Sequence, residues 1–394
     1  MTLKNLVLIA LGGAALCLAP LMLVRGFGRV PTCEIKLERQ LKKQNVPGLA
    51  VAVIKNGRLV CAGAAGMANI DENIPTTPDT LFLVASISKT VTVTALMQLY
   101  EQGKFGLDDD INDYLPFDVR VPVAPEAPIT FRELLTHTAS IGDNGTYINC
   151  AGWCDYGTPL IPFVTKGADS PISLAEFTEG YFTPGANYYD KMRNFKQALP
   201  GTINDYANMG AVLAGYLVET ISGLPFDTYT RDHIFAPLGM DMTGWRLSEI
   251  EPRRLAMPYD KRESKFVPYG QYGEVNYPDG MLRTSVIELA HFLAAYLQEG
   301  AYQGVEILQP KTVRQILKPQ TPLDRDQGLF WYKDSIDERT VWGHDGSVNG
   351  ASATMWFDPK RNEGVIIMAN GVWEKGHELA ARLFKLADVQ SAAE

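Results

Sequence analysis

Positive charge is in short supply. The 394 residues carry 36 lysines and arginines against 45 acidic residues, a net charge of −9. No cationic surplus exists to neutralise a phosphate backbone, which sets nucleic acid aside as a partner. Histidine is scarcer still: His137, His233, His291, His344 and His377 are the full set. None stands in H-E-x-x-H, and metal catalysis has no visible ligands. No serine occupies the G-x-S-x-G of the α/β-hydrolase elbow. Repeats and low-complexity stretches are missing as well, while 46% apolar content with 21% charge suffices for a packed globular enzyme. Nothing in the sequence calls for a cofactor.

Long apolar runs are absent except at the start. Leu6 to Val24 is uncharged and closed by Arg25 and Arg29, and its nineteen residues at about 1.5 Å rise just reach across a hydrocarbon core of about 30 Å. Residues 1–30 are therefore expected to anchor the chain in a membrane, with residues 33–390 as one domain in the periplasm or extracellular space. The alternative is a cleaved signal peptide and a secreted protein; its best small-residue site, Cys17-Leu18-Ala19, is followed by Pro20, a poor context. Cysteine is also rare. Beyond Cys17 there are Cys33, Cys61, Cys150 and Cys154. With no second pair or histidine cluster at zinc spacing, Cys150 and Cys154 are expected to form a local disulfide in an oxidising compartment. Two free buried thiols at Cys150 and Cys154 are the other reading; Cys33 and Cys61 can pair too, but sequence does not fix connectivity.

The pattern of the remaining chain predicts an α+β fold. Leu37 to Asn45 reads as a short helix, and Leu49 to Ile54 and Leu59 to Ala62 as strands joined by a tight turn at Asn56-Gly57. The far end mirrors this, with strands Ser352 to Phe357 and Val365 to Ala369 and a helix from Glu374 to Leu386. Both ends thus feed one antiparallel sheet. Between them lie helical patterns at Ser86–Gln102, 131–135, Ala207–Ser222 and Ser285–Leu297, a helical insertion in the sheet.

Three motifs carry chemistry. Ser86-Ile87-Ser88-Lys89 is S-x-x-K at the start of a helix, where residues three apart share a face and a serine hydroxyl can meet a lysine amine. The helix N-terminus favours a developing alkoxide; with burial, it disfavours the ammonium, leaving an amine able to accept the serine proton. Tyr206-Ala207-Asn208 precedes an apolar helix and offers a phenol to shuttle a proton and an amide to orient Lys89 or bind the acyl group. Gly343-His344-Asp345-Gly346-Ser347 ends a strand, and glycine there admits close approach. Backbone N–H groups of Ser347 and Ser86 can then form an oxyanion hole. Singly, each motif has an ordinary structural reading: a capping serine beside a surface lysine, a core tyrosine with a capping asparagine, a surface histidine.

In this order and at these separations, S-x-x-K, Y-x-N and H-x-G resemble the penicillin-binding-protein-like serine hydrolases related to class C β-lactamases. Leu134-Leu135-Thr136-His137-Thr138, Pro237-Leu238-Gly239-Met240 and Asp279-Gly280-Met281-Leu282-Arg283-Thr284 resemble the same family, over roughly residues 36 to 390. The resemblance implies that Ser86 is acylated, that Lys89 and Tyr206 share the acid–base work, that Asn208 contacts substrate, and that His344, Gly346 and Ser347 line the far wall. The family's lactamases and transpeptidases usually carry Lys-Thr-Gly on that wall to receive a carboxylate. Here a histidine, mostly neutral at pH 7, stands with Asp345, which would repel a carboxylate if it faced the cleft. An ester, amide or peptide substrate is thus expected ahead of a β-lactam, with a β-lactamase or D-Ala-D-Ala carboxypeptidase as the alternative. The competitor from another class is a non-catalytic peptidoglycan-binding or sensor protein. Finally, the long stretch from Ile141 to Leu199 is expected to form a rim over the cleft, stiffened by Cys150–Cys154 and offering Trp153, Tyr156 or Phe163 as contacts.

Overall fold

Valine, isoleucine and alanine run unbroken through Gly48–Lys55 (β1), as expected of a strand covered on both faces. A computed structural model describes residues 31–33, 35–144, 164–373 and 376–390. In it β1 is the third strand from one edge of a seven-stranded sheet. Asn56 and Gly57 take the positive φ values, 49° and 68°, that a two-residue hairpin turn requires. The chain returns as β2 (Arg58–Asn69) and adds β3 (Ile74–Pro75). The other four strands come from the far end: β4 (Tyr332–Ile336), β5 (Arg339–Val348), β6 (Ala351–Asp358) and β7 (Glu363–Ala369). The order is β4-β5-β6-β7-β1-β2-β3, antiparallel throughout. Leu49 pairs with Ala369 and Lys55 with Glu363, so the two chain ends meet inside the sheet.

Period-two alternation splits the core. Leu49, Val51 and Val53 face a cluster with Leu379, Leu383 and Phe384 from the C-terminal helix Gly376–Gln390. Ala50, Ala52 and Ile54 face the larger core of the helical insertion. That insertion contains α2 (Ser88–Glu101), α3 (Phe131–Leu135), α4 (Leu174–Phe182), α5 (Asn208–Ser222), α6 (Phe226–Thr230), α7 (Val286–Leu297) and α8 (Pro310–Ile316), and α1 (Leu37–Gln44) precedes it. The helix α2 is buried almost all round, although Thr90 to Thr94 is a β-branched run. Its threonine hydroxyls resolve the conflict: Thr90 and Thr94 bond back to Ile87 and Thr90 carbonyls, and Thr92 reaches Pro278 O at 2.7 Å.

Two expectations change. The helix expected from Ser86 begins at Ser88, and Ser86 sits in a preceding 3-10 turn, Ala85–Ile87. The stretch after Ile141 is not rim alone. Ser173 caps α4, and Leu174, Phe177, Thr178, Tyr181 and Phe182 fall on one helical stripe, so they bury in the main core. Its Val164–Lys166 segment pairs with Tyr272–Glu274. Cys150, Cys154, Trp153, Tyr156 and Phe163 lie outside the described residues, as does the apolar N-terminal run. Cys33 and Cys61 form a disulfide, their Cα atoms 4.9 Å apart. Among the described residues no single helix is long and apolar enough to cross a membrane.

Candidate active site

The Ala85–Ile87 turn lifts Ser86 out of the core at some cost. Ala85 has φ 49°, a left-handed conformation that costs a residue with a Cβ about 1 kcal/mol or more. Val84 anchors the turn by donating its N–H to Leu282 O at 3.0 Å. One turn on, Lys89 projects from the same face, and its Nζ lies 3.0 Å from Ser86 Oγ. Tyr206 donates its hydroxyl to the same Ser86 Oγ at 2.9 Å, with the Lys89 Nζ 5.0 Å from its ring centroid. A serine hydroxyl is thereby held between an amine and a phenol.

Lys89 is fully buried, and its nitrogen has two further acceptors, Asn208 Oδ1 at 2.8 Å and the Asp279 carbonyl at 2.8 Å. Those two oxygens can only accept. The third partner, the Ser86 hydroxyl, can also donate, so the only proton exchange open along these bonds is with Ser86. Asn208 opens α5, whose N-cap residue Ala207 offers no side-chain acceptor. Asp143 fills that role: its carboxylate accepts from the Asn208 N–H, the Asn208 amide and the Met209 N–H, each at 2.9 Å. Because the Asn208 Nδ2 is taken by Asp143, its oxygen must face Lys89. Burial pushes the Asp143 carboxyl up while these N–H groups and Lys89 pull it down.

His137, from the Leu-Leu-Thr-His-Thr phrase, packs its ring 4.4 Å from that of Tyr206 at a tilt of 34°, and its Nδ1 accepts the Ala207 N–H at 3.2 Å. Burial and then the Lys89 charge hold it well below the ordinary histidine range, so it is neutral. Tyr206 is held by this ring contact and is still 43% exposed, which leaves its phenol open to a substrate.

On the far wall, β5 brings His344 within 6.3 Å of Tyr206, ring to ring. His344 is buried rather than on the surface, and burial, with Lys89 as the lesser cause, pushes it down to about 4. Its Nδ1 lies 2.5 Å from the Asp345 carbonyl. A neutral ring must donate there, which leaves Nε2 an acceptor. Two residues on, a side chain at Gly346 would run into Val84 O, Ala85 Cβ and Ser86 N, so the glycine lets the wall close on the Ser86 turn. Alternation sends Asp345 to the other face of the sheet. There it accepts from Thr354 Oγ1 at 2.6 Å and lies 3.3 Å from His377 Nε2. The expected repulsion of a carboxylate by Asp345 is therefore corrected: what the wall lacks is a cation. Ser347 follows at the exposed edge, opposite Ser352.

The chain matches the family model for beta-lactamase over residues 35–388. The chain belongs to the beta-lactamase family. Among curated relatives, a beta-lactamase of Yersinia enterocolitica is 26% identical over 362 residues, covering 84% of each chain. Protein flp of Staphylococcus aureus (strain MW2) is 22% identical over 336 residues, 85% of this chain, and this chain spans only 61% of that relative's length. Solved structures with the beta-lactamase-family fold include an octameric penicillin-binding protein homologue from Pyrococcus abyssi, with a TM-score of 0.69 and 23% identity over 90% of this chain and 76% of that one. A D-amino acid amidase from Ochrobactrum anthropi SV3 gives 0.68 and 21%, over 89% and 96%. A class C beta lactamase from Rhodobacter sphaeroides gives 0.64 and 20%, over 90% and 97%. At these identities the structural likeness is one of fold.

Within that fold the structure brings Ser86, Lys89, Tyr206, Asn208, His344 and Gly346 together. Sequence reasoning assigned no role to three neighbours: Asp143, His137 and Asp279. The signal for Asp143 was the missing cap, since an apolar helix opening after Ala207 needs an acceptor from elsewhere. Asp279 carries its carboxyl Oδ2 to 3.9 Å from Lys89 Nζ, and burial raises that carboxyl to about 7 against the pull of Lys89.

Proposed function

We propose that the domain spanning residues 33–390 is a serine hydrolase that cleaves esters or amides through an acyl-enzyme on Ser86, with β-lactams as poor substrates. The observation that carries this reading is the position of Ser86 Oγ, 3.0 Å from Lys89 Nζ and 2.9 Å from Tyr206 Oη. As Oγ attacks the substrate carbonyl, its proton passes to Lys89. Backbone N–H groups of Ser86 and Ser347 receive the oxyanion. The proton then reaches the leaving group by way of Tyr206, and water, activated by the same groups in reverse, releases the acid. Asn208 orients Lys89 through its oxygen.

Selectivity follows from the wall. A neutral His344 offers a hydrogen-bond acceptor and an aromatic edge where a lysine would offer charge to a carboxylate. Neutral esters and amino-acid amides fit that chemistry better than penicillins. The fold shared with a D-amino acid amidase supports the amide half of this reading, and the Cys33–Cys61 disulfide supports export to an oxidising compartment.

The test is a fluorophosphonate label with wild type and Ser86→Ala, followed by steady-state turnover of a short-chain nitrophenyl ester, D-amino-acid amides and nitrocefin. Labelling of wild type alone, with esters or amides well ahead of nitrocefin, is expected. An unlabelled wild type would overturn the acyl-enzyme, and comparable turnover of nitrocefin and the ester would overturn the selectivity.

A further inference from the structure

Two aspartates, Asp143 and Asp279, bear on the buried lysine, and among the acidic residues of this region one has no evident task. Asp143 caps α5 and fixes Asn208. Glu274 is buried near Asn276 and Arg283. Asp345 points to the other side of the sheet. Asp279 remains: it ends the turn Tyr277–Asp279 just before Gly280, and its side chain is buried to within 9%. Its Oδ1 accepts from Asn276 Nδ2 at 3.0 Å, and its Oδ2 lies 3.9 Å from Lys89 Nζ. The same residue thus presents Lys89 with a neutral acceptor, its carbonyl, and an ionisable one.

We infer that Asp279 is a positioning residue whose carboxylate serves as counter-charge to Lys89 at the moment Lys89 takes the Ser86 proton. The inference rests on the function proposed above. In the acylation step the Ser86 O–H bond breaks and its proton goes to Lys89, the Oγ–acyl bond forms, and the bond to the leaving group breaks as that group receives the proton through Tyr206. Asp279 makes and breaks no bond. An ammonium created in a buried site is costly without an opposite charge, and a carboxylate about 4 Å away offsets that cost directly. A protonated Asp279 offers no such charge.

The charged and titratable groups that bear on Asp279 are Lys89 from α2, Glu274 from the neighbouring strand and Asp143 from the loop ahead of α5, with Asn276 as its hydrogen-bond donor. Burial and the two carboxyls favour the acid form, and Lys89 and Asn276 favour the carboxylate. With Lys89 as the ammonium it becomes on taking the Ser86 proton, that balance puts the ionisation near neutrality, at about 7, and the two groups titrate as a linked pair. Acylation should accordingly be slow where Asp279 is protonated and rise as pH passes through its ionisation. Opposite charges at this distance are coupled by roughly one to three pK units, so loss of the carboxylate should slow acylation roughly 10- to 10³-fold.

The experiment measures kcat, KM and the acylation burst for the ester from pH 5 to 9 with wild type, D279N and N276A. D279N retains an oxygen for Asn276 Nδ2 and removes the charge. The expected result is loss of the acid limb near neutrality and a lower kcat with KM little changed. N276A withdraws a donor that favours the carboxylate and should move the limb to higher pH, which a packing role would not do. A D279N profile with the wild-type limb and wild-type plateau would overturn the inference. Should D279N fail to fold, the direction of the N276A shift decides. The proposed function fails separately, since a wild type that never labels at Ser86 sinks that reading whatever Asp279 does.

Discussion

Adding one methyl group to Gly346 tests whether the wall strand truly closes on the nucleophile turn. Built on the present backbone, a Cβ there would stand 2.9 Å from Ala85 Cβ and 3.1 Å from Ser86 N, and closer still to the Val84 carbonyl oxygen. Ordinary contact begins at 3.4 Å, so clearing the Ala85 methyl alone demands 3.4 − 2.9 = 0.5 Å, and clearing Val84 demands more. The turn cannot supply that movement: Val84 and Ala85 are fully buried, and Val84 is bonded to Leu282. Strand β5 must retreat, taking His344 and the Ser347 N–H away from Ser86 Oγ. A misplacement approaching 1 Å costs a reaction about 10²-fold. Overpacking costs about 1–3 kcal/mol, within the usual stability of a domain, so G346A should fold. The expected outcome is a kcat/KM for the ester about 10²-fold below wild type, with fluorophosphonate labelling slowed in parallel. A folded G346A within about threefold of wild type would refute the claim that this glycine sets the width of the site.

Other outcomes follow from individual contacts. Tyr206→Phe keeps the ring contact with His137 and removes the hydroxyl 2.9 Å from Ser86 Oγ; kcat should fall by about 10²–10⁴, and an unchanged kcat in steady-state assays would remove Tyr206 from the proton path. The double change C33S/C61S opens a loop of sequence separation 28, which by loop entropy should cost roughly 3–4 kcal/mol in urea unfolding. Because the pair belongs to the core on the other side of the sheet from the helical insertion, kcat at 25 °C should stay as it was. His344 titrates at about 4 in the fold against about 6.5 unfolded. The unfolded chain therefore takes up the proton first, and stability that is full above about pH 6.5 is lost on acidification down to about pH 4. The loss is roughly 3 kcal/mol, and H344Q should flatten the stability profile over that window relative to wild type; parallel profiles would mean that the ring is not buried.

The architecture was legible because periodicity and turn chemistry agreed with each other. Unbroken apolar strands at both ends, Asn56-Gly57 between two of them and apolar helical spacing after Lys89 each pointed to the same sheet with a helical insertion. The clearest misreadings came where local signals stop. The shift of the helix start from Ser86 to Ser88 depends on Ala85 adopting φ 49°, a strain that no local propensity favours and only the surrounding packing can impose. The helix α4 was missed although its stripe and its Ser173 cap were present in the sequence, because the length of the segment drew attention to a loop.

The site itself divides along a similar line. Residues that act through their own side chains announced themselves by type and order: a serine and lysine three apart, a tyrosine and asparagine before a helix, a histidine and glycine on a strand. Residues that act on those side chains did not, since nothing in a sequence says which aspartate will reach a helix end 65 positions away or which will sit behind a lysine 190 positions earlier. The pair His344-Asp345 shows why this matters for function. Read as a dipeptide, it put a negative charge in the cleft; folded into a strand, adjacent residues face opposite ways, and the carboxylate bonds Thr354 on the outer face. The case against a carboxylate-bearing substrate therefore rests on the neutrality of His344 alone. It is a weaker electrostatic barrier than a facing aspartate would be, one that withholds attraction without adding repulsion, so the chain should discriminate against β-lactams by poor binding and still acylate slowly at high concentrations of them.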